Sequence, residues 1–129
     1  MKLIDTDVAI DHFHGHQAAL DYFAEALAAG EILAISIITL TELAGGMRPG
    51  EEARTERLFR LFALLDVPEP VGRIAAGYLR QFRRSHRLEL GDALIAATAA
   101  HHQAELVTRN VKHYPMPDVR IIVPYQRGR

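Results

Sequence analysis

The stretch Leu3-Ile4-Asp5-Thr6-Asp7 decides the fold. A short apolar run ends abruptly in acid, with two carboxylates flanking one threonine, and Val8, Ile10 and Phe13 then follow in a helix-like pattern. A buried strand that delivers acid at its carboxyl end is how open α/β sheets position ligand chemistry. Asp also favours the helix N-cap, so a capping role for Asp5 or Asp7 stands beside the chemical one. Two further acids, Glu42 and Asp92, arrive downstream in similar settings and decide how far the chemical reading carries.

Working outward, strands alternate with helices. Leu20, Phe23, Ala24 and Leu27 recur at helical spacing between Gly15 and Gly30. The β-branched run Ile32 to Ile38 predicts a second strand that turns near Ser36, followed by a short helix over Thr39 to Ala44. A helix opens after Pro49-Gly50 with Leu58, Leu61, Phe62 and Leu65 on its buried face, and Val67 predicts a short edge strand before Pro68. Past Pro70, the residues Val71, Ile74, Ala75, Tyr78, Leu79 and Phe82 give the clearest amphipathic pattern. Arg73, Arg80, Arg83, Arg84 and Arg87 lie elsewhere on that helix or at its end, where the helix dipole favours cations; a ridge facing RNA is the other reading. Leu90 to Ala100 is apolar nearly all round, which predicts a central buried helix. Leu106-Val107 and Ile121-Ile122-Val123 predict the last strands. The alternation implies a three-layer α/β/α sandwich with a central, mostly parallel sheet.

The 129 residues suit a single domain over 1–129, and a hydrophobic share of 49% with 24% charged residues is ordinary for a globular chain. There is no cysteine, which excludes disulfides and Cys-zinc sites. The opening segment is broken by Asp5 and Asp7 and does not read as a signal peptide. No apolar run approaches the roughly 20 residues that span a bilayer, so a cytoplasmic protein with no membrane partner is expected. A net charge of −1 gives the whole molecule no pull on nucleic acid. The basic residues are thirteen Arg and two Lys, and Arg forks onto phosphate better than Lys.

Asp5 ends a strand, Glu42 follows a strand after one turn, and Asp92 opens a central helix. In a parallel sheet the strand carboxyl ends share one edge, so the three can converge. Taken singly, Asp92 complements a helix dipole, and Thr39-x-x-Glu42 fits a capping box. Together, three carboxylates without a cation would raise one another's pKa. A bound Mg²⁺ or Mn²⁺ resolves that repulsion, since hard cations take oxygen ligands. The chemistry that follows is metal-assisted phosphodiester hydrolysis.

Four segments in order resemble a PIN-domain ribonuclease, specifically a VapC-type toxin of a type II toxin–antitoxin pair. They are Leu3-Ile4-Asp5-Thr6-Asp7-Val8, Ile35 through Leu43 with Glu42, Gly91 through Ala99 with Asp92, and Val107-Thr108-Arg109-Asn110-Val111-Lys112-His113-Tyr114. The resemblance implies a Mg²⁺-dependent endoribonuclease, with Mn²⁺ able to substitute, that leaves a 5′-phosphate and a 3′-hydroxyl. It also implies a structured RNA target such as tRNA, a cognate antitoxin that blocks the cleft, and a homodimer. Asp5, Glu42 and Asp92 would hold the metal, and Asn110 would position water or phosphate. Asn110 stands where the family often has a fourth acid, which favours one metal over two. Asp7 stands where the family often has Asn, and would orient the loop or add charge. Thr108 would bond the Asp5 loop, contact phosphate or serve structure alone, while Arg109 and Lys112 would touch phosphate.

Rival readings follow from the same residues. His12, His14 and His16 alternate, but on a helix that spacing scatters them as solvated surface, and Asp11 reads as a surface helical acid, with a place flanking the cleft as the other reading. Asp5 and Asp7 supply the Asp-x-Asp of a haloacid-dehalogenase-type phosphatase, which would also need a later lysine and an Asp pair. A phospho-receiver domain would use Asp66 as acceptor and Lys112 beside it, leaving Glu42 and Asp92 without roles. A catalytically degenerate PIN domain that binds RNA or protein is the alternative that Asn110 keeps open.

Overall fold

The computed structural model describes residues 1–126. The chain runs β1 (Lys2–Ile4), α1 (Thr6–Phe13), α2 (Gln17–Ala28), β2 (Leu33–Ser36), α3 (Ile37–Gly45), α4 (Glu52–Phe59), β3 (Ala63–Leu65), α5 (Glu69–His86), α6 (Leu90–His102), β4 (Glu105–Val107), a 3₁₀ turn (Val111–His113) and β5 (Ile121–Ile122). The five strands form one sheet in the order β3-β2-β1-β4-β5, with every neighbouring pair parallel.

Alternation along the short strands builds two cores, because successive strand side chains point to opposite faces. Leu3, Ala34 and Leu106 pack with α5 and α6, through Val71, Ala75, Tyr78, Ala93, Ile95 and Ala97. Ile4, Leu33, Ile35 and Val107 pack on the other face with Val8, Ala9, Phe23 and Ala26 of α1 and α2. Helices therefore cover both faces, as a parallel sheet requires.

The chain leaves β1 towards β2 and β3, then returns through α5 and α6 to place β4 on the other side of β1. The strand order thus reverses between β1 and β4, and a crevice opens at such a switch point beyond the strand carboxyl ends. Asp5 follows β1 there and Thr108 follows β4, with Leu3 paired to Leu106 and Ile4 to Val107.

Several local expectations are corrected. The edge strand is Ala63–Leu65, not Val67, and α4 stops at Phe59. Helix α3 begins at Ile37, because Ser36 caps it by accepting from Ile38 N–H at 3.0 Å. Thr39 therefore lies inside the helix, and the capping box with Glu42 does not form. Val123 lies outside β5 and is exposed. His12 is half-buried and stacked on Phe23 at 4.4 Å, rather than solvated.

Candidate active site

Asp5 sits at the end of β1, only 5% exposed. It is the N-cap of α1, its Oδ1 accepting from Thr6 N–H at 2.8 Å. The capping and chemical readings are therefore compatible, since the cap fixes one oxygen and leaves the carboxylate in the crevice. Its Oδ2 accepts from Thr108 Oγ1 at 2.7 Å and from the Tyr114 hydroxyl at 2.9 Å. The Tyr114 oxygen also stands 3.4 Å from Asp92 Oδ1, and His113 Nδ1 lies 3.4 Å from Asp92 Oδ2.

Glu42 is held by a relay. Thr6 Oγ1 donates to Glu42 Oε1 at 2.6 Å and lies 3.0 Å from Thr39 Oγ1. A hydroxyl carries one proton, so with Thr6 donating to Glu42, the fully buried Thr39 donates to Thr6. This arrangement gives Thr39 a positioning role that the capping-box reading had missed.

Asp5, Asp7, Glu42, Glu89, Asp92, Asn110 and His113 line one cavity of about 240 Å³, together with Thr6 and Gly91. The sequence-expected acids are therefore brought together. Burial pushes the Asp5 carboxyl up to about 6, and the neighbouring Asp7 charge adds to the rise against three hydrogen bonds that oppose it. Burial likewise raises Asp92; His113 opposes that rise, and Glu89 and Glu42 add to it. Asp7 is raised by burial despite the backbone N–H groups of Arg109 and Val8 on its carboxylate.

Other expected residues fall elsewhere. Thr108 is buried and bonded to Asp5, which makes it a support for that carboxylate. The Arg109 guanidinium is turned onto Asp11, its Nε 2.7 Å from Oδ2, and is not part of the cavity lining. Only its backbone N–H serves the site, donating to Asp7 Oδ2 at 3.0 Å. Asp11 itself is 1% exposed, contrary to the surface reading, and also accepts from the Tyr125 hydroxyl at 2.8 Å. Lys112 is exposed and does not line the cavity. Asp66 is exposed just after β3 at the sheet edge and outside the cavity, so the receiver arrangement of Asp5, Asp7, Asp66 and Lys112 is not assembled. Sequence reasoning gave no role to Thr6, Glu89, His113 or Tyr114, although Thr6, His113 and Tyr114 lie inside segments already singled out and Glu89 stands two residues before another.

The donor set suits a hard divalent cation. Five carboxylates face one cavity, and among the described residues its only basic lining side chain is His113. Among the described residues no three acids or imidazoles close to direct ligating spacing. The open volume instead has room for a cation that keeps several waters, at ~30 Å³ each, as Mg²⁺ does. A larger hollow of about 510 Å³ adjoins it across Glu42, lined by apolar Ile10, Phe13, Leu43, Met47 and Leu58.

An all-parallel α/β/α sandwich with acids gathered at the switch point is the PIN architecture; residues 2–118 match the PIN domain, and the chain belongs to that family. Its relatives there are VapC ribonucleases. Ribonuclease VapC10 of Mycobacterium tuberculosis is 44% identical over 117 residues, covering 90% of this chain and 87% of that protein. Ribonuclease VapC19 of the same organism is 43% identical over 122 residues, covering 93% of this chain and 98% of that protein. Among solved structures, a toxin–antitoxin complex from Klebsiella pneumoniae matches with a TM-score of 0.78 at 31% identity, over 98% of this chain and 99% of that one.

Proposed function

We propose that this chain is a metal-dependent endoribonuclease, the toxin of a toxin–antitoxin pair, acting in the cytoplasm on RNA, with a structured RNA such as tRNA as the substrate. The observation that carries the reading is the cavity at the switch point, where Asp5, Glu42 and Asp92 converge and, among the described residues, no cation stands beside Asp5. Five carboxylates would repel a phosphodiester, so a divalent cation must come first. Asp5, Glu42 and Asp92 would hold Mg²⁺ or Mn²⁺, directly or through water. When bound, the ion lowers the pKa of a water nucleophile and steadies the leaving oxygen.

The chain's own residues pre-organise that site. Thr6 N–H, Thr108 and Tyr114 fix both oxygens of Asp5, and the Thr39–Thr6 relay orients Glu42. Asn110 is held at the rim by its own N–H on Thr108 Oγ1 at 3.0 Å, which leaves its amide available to position water or phosphate. An amide adds no charge, which supports one metal ion over two. Asp7 adds charge and, through the Arg109 N–H, ties the loop after β4 to α1.

The antitoxin partner has support in the apolar hollow beside Glu42, where Ile10 and Met47 are 39% and 38% exposed. A partner segment seated there would close the acidic cavity. Homodimerisation is part of the same reading, and a monomeric mass in light scattering at micromolar concentration would remove it.

The decisive experiment is a Mn²⁺ titration by calorimetry on wild type and Asp92→Asn, with RNA cleavage followed in the same preparations. Binding that Asp92→Asn weakens, together with metal-dependent cleavage by wild type, is expected. Metal binding without cleavage of any RNA, tRNA included, would favour the degenerate domain. No binding by folded wild type would return Glu42 and Asp92 to structural roles.

A further inference from the structure

We propose that the arginine face of α5 is a docking rail for RNA phosphates, leading to the acidic cavity. The inference rests on the endoribonuclease reading and adds how the substrate is held. Arg80, Arg83 and Arg84 stand at i, i+3 and i+4, which places them on one side of the helix, and Arg87 follows directly as its C-cap. Arg73 continues the line seven residues earlier. All five are exposed, while Val71, Ala75 and Tyr78 of the same helix are buried in the core shared with α6. The rail is therefore backed by packed structure.

Charge is segregated along the chain. From Pro70 to Leu88 there is no acidic residue, although the whole chain carries a net −1. Among the described residues Arg73 pairs with Glu69 at 2.7 Å, and no ion pair engages Arg80, Arg83, Arg84 or Arg87. The helix dipole accounts for arginines in the last turn, but its influence fades beyond that turn and does not reach Arg80 or Arg73. A compositional preference for arginine over lysine does not place the arginines on one face.

The rail also ends in the right place. Helix α5 stops at His86, Arg87 is its left-handed C-cap, and Glu89 lines the cavity. Two Cα steps of 3.8 Å keep Arg87 within about 8 Å of Glu89 along the backbone. Helix α6 then starts at Leu90 and carries Asp92 into the same cavity. A cavity lined by five carboxylates cannot itself attract a polyanion. Arginines on the helix that leads to it supply the attraction, since each guanidinium forks onto phosphate oxygens. The two regions divide the work, with α5 gripping the RNA backbone and the cavity acting on one phosphodiester.

The test is fluorescence anisotropy with a labelled single-stranded RNA of about 20 nucleotides, in EDTA so that no cleavage occurs, between about 50 and 300 mM KCl. Arg80, Arg83, Arg84 and Arg87 are replaced together by Gln. At least about tenfold weaker binding is expected, with a log–log salt slope shallower by about 2 to 3, at ~0.7 per phosphate contact. Replacing the same four by Lys should restore most of the slope, which counts charge. Thermal midpoint and Mn²⁺ binding should not move. Unchanged affinity and slope in the Gln variant would overturn the rail. So would an altered mass in light scattering with unchanged RNA binding, which would assign the face to a protein contact. If the Gln variant binds as wild type does while wild type still cleaves RNA with Mn²⁺, the rail alone fails. Wild type that neither binds nor cleaves RNA would remove the endoribonuclease reading and the rail with it.

Discussion

Asp5 and Asp11 are two buried aspartates six residues apart, one before α1 and one inside it, and the fold treats them oppositely. Asp11 is met by the Arg109 guanidinium and by the Tyr125 hydroxyl, so its charge is answered within the chain. Asp5 is met by a backbone N–H and two hydroxyls, but among the described residues by no cation. Hydrogen bonds satisfy its oxygens, yet burial and Asp7 still hold its carboxyl up at about 6. On the proposed reading, a buried carboxylate that is fully hydrogen-bonded and still uncompensated takes its counter-charge from a bound cation. Asp11 fastens the structure, whereas Asp5 is kept unfinished.

The sharpest way to break this contrast is to remove each carboxylate. Asp5→Ala should lower RNA cleavage by about a thousandfold or more, equivalent to ~4 kcal/mol of barrier. Its thermal midpoint in EDTA at neutral pH should not fall in proportion. Asp11→Ala should do the reverse. It leaves a mostly buried guanidinium without that partner, at a cost of about 3 kcal/mol, read in urea denaturation. A sharp loss of stability in Asp5→Ala with little change in Asp11→Ala would invert the comparison.

The pH dependence separates the same pair by a smaller amount. In the unfolded chain Asp5 ionises near pH 4, and in the folded chain at about 6. Between those values the unfolded chain has released a proton that the folded chain retains. The stability that protonated Asp5 contributes is therefore full below about pH 4 and lost as pH rises through about 6, on the order of 2–3 kcal/mol. Asp7 and Asp92 are raised too and act in the same direction. In EDTA, wild type should lose stability relative to Asp5→Asn between about pH 4 and 7.5, and saturating Mg²⁺ at about pH 7.5 should return most of it. A difference that does not change with pH would mean that Asp5 is compensated after all.

These opposite fates also mark what could be read from the chain alone. Asp5, Glu42 and Asp92 were legible because each adjoins a buried element whose apolar pattern is local. Asp11 was not. Its neighbour Ile10 is 39% exposed while Asp11 is 1% exposed, so α1 buries the acid and exposes the hydrophobe. The reason is Arg109, 98 residues away, a partner that no local pattern announces. Strand β3 was hidden differently. Leu58, Leu61, Phe62 and Leu65 keep helical spacing, but pairing with Ala34, Ile35 and Ser36 of β2 draws Ala63–Leu65 into the sheet edge. Tyr114 lay within a segment read for its polar residues. Its hydroxyl acquires meaning only when the fold carries it across 109 residues to Asp5.

Tyr114 and Tyr125 give the finest test, because each donates one hydroxyl to one of the two aspartates. Phe at either position keeps the ring and removes the donor. At Tyr114 the lost proton was one of three donors on a carboxylate that meets no cation among the described residues, in a fully packed setting. Tyr114→Phe should therefore raise Asp5 further and cost about 1.5 kcal/mol at neutral pH in EDTA. Mn²⁺ should recover part of that cost, since a cation replaces what the hydroxyl had offset. Tyr125→Phe should cost about 0.5 kcal/mol, because Arg109 still answers Asp11, and Mn²⁺ should not change it. Paired urea titrations of both variants, with and without Mn²⁺, read all four values. A larger loss at Tyr125, or a metal response there, would show that Asp11 and not Asp5 is the carboxylate short of charge.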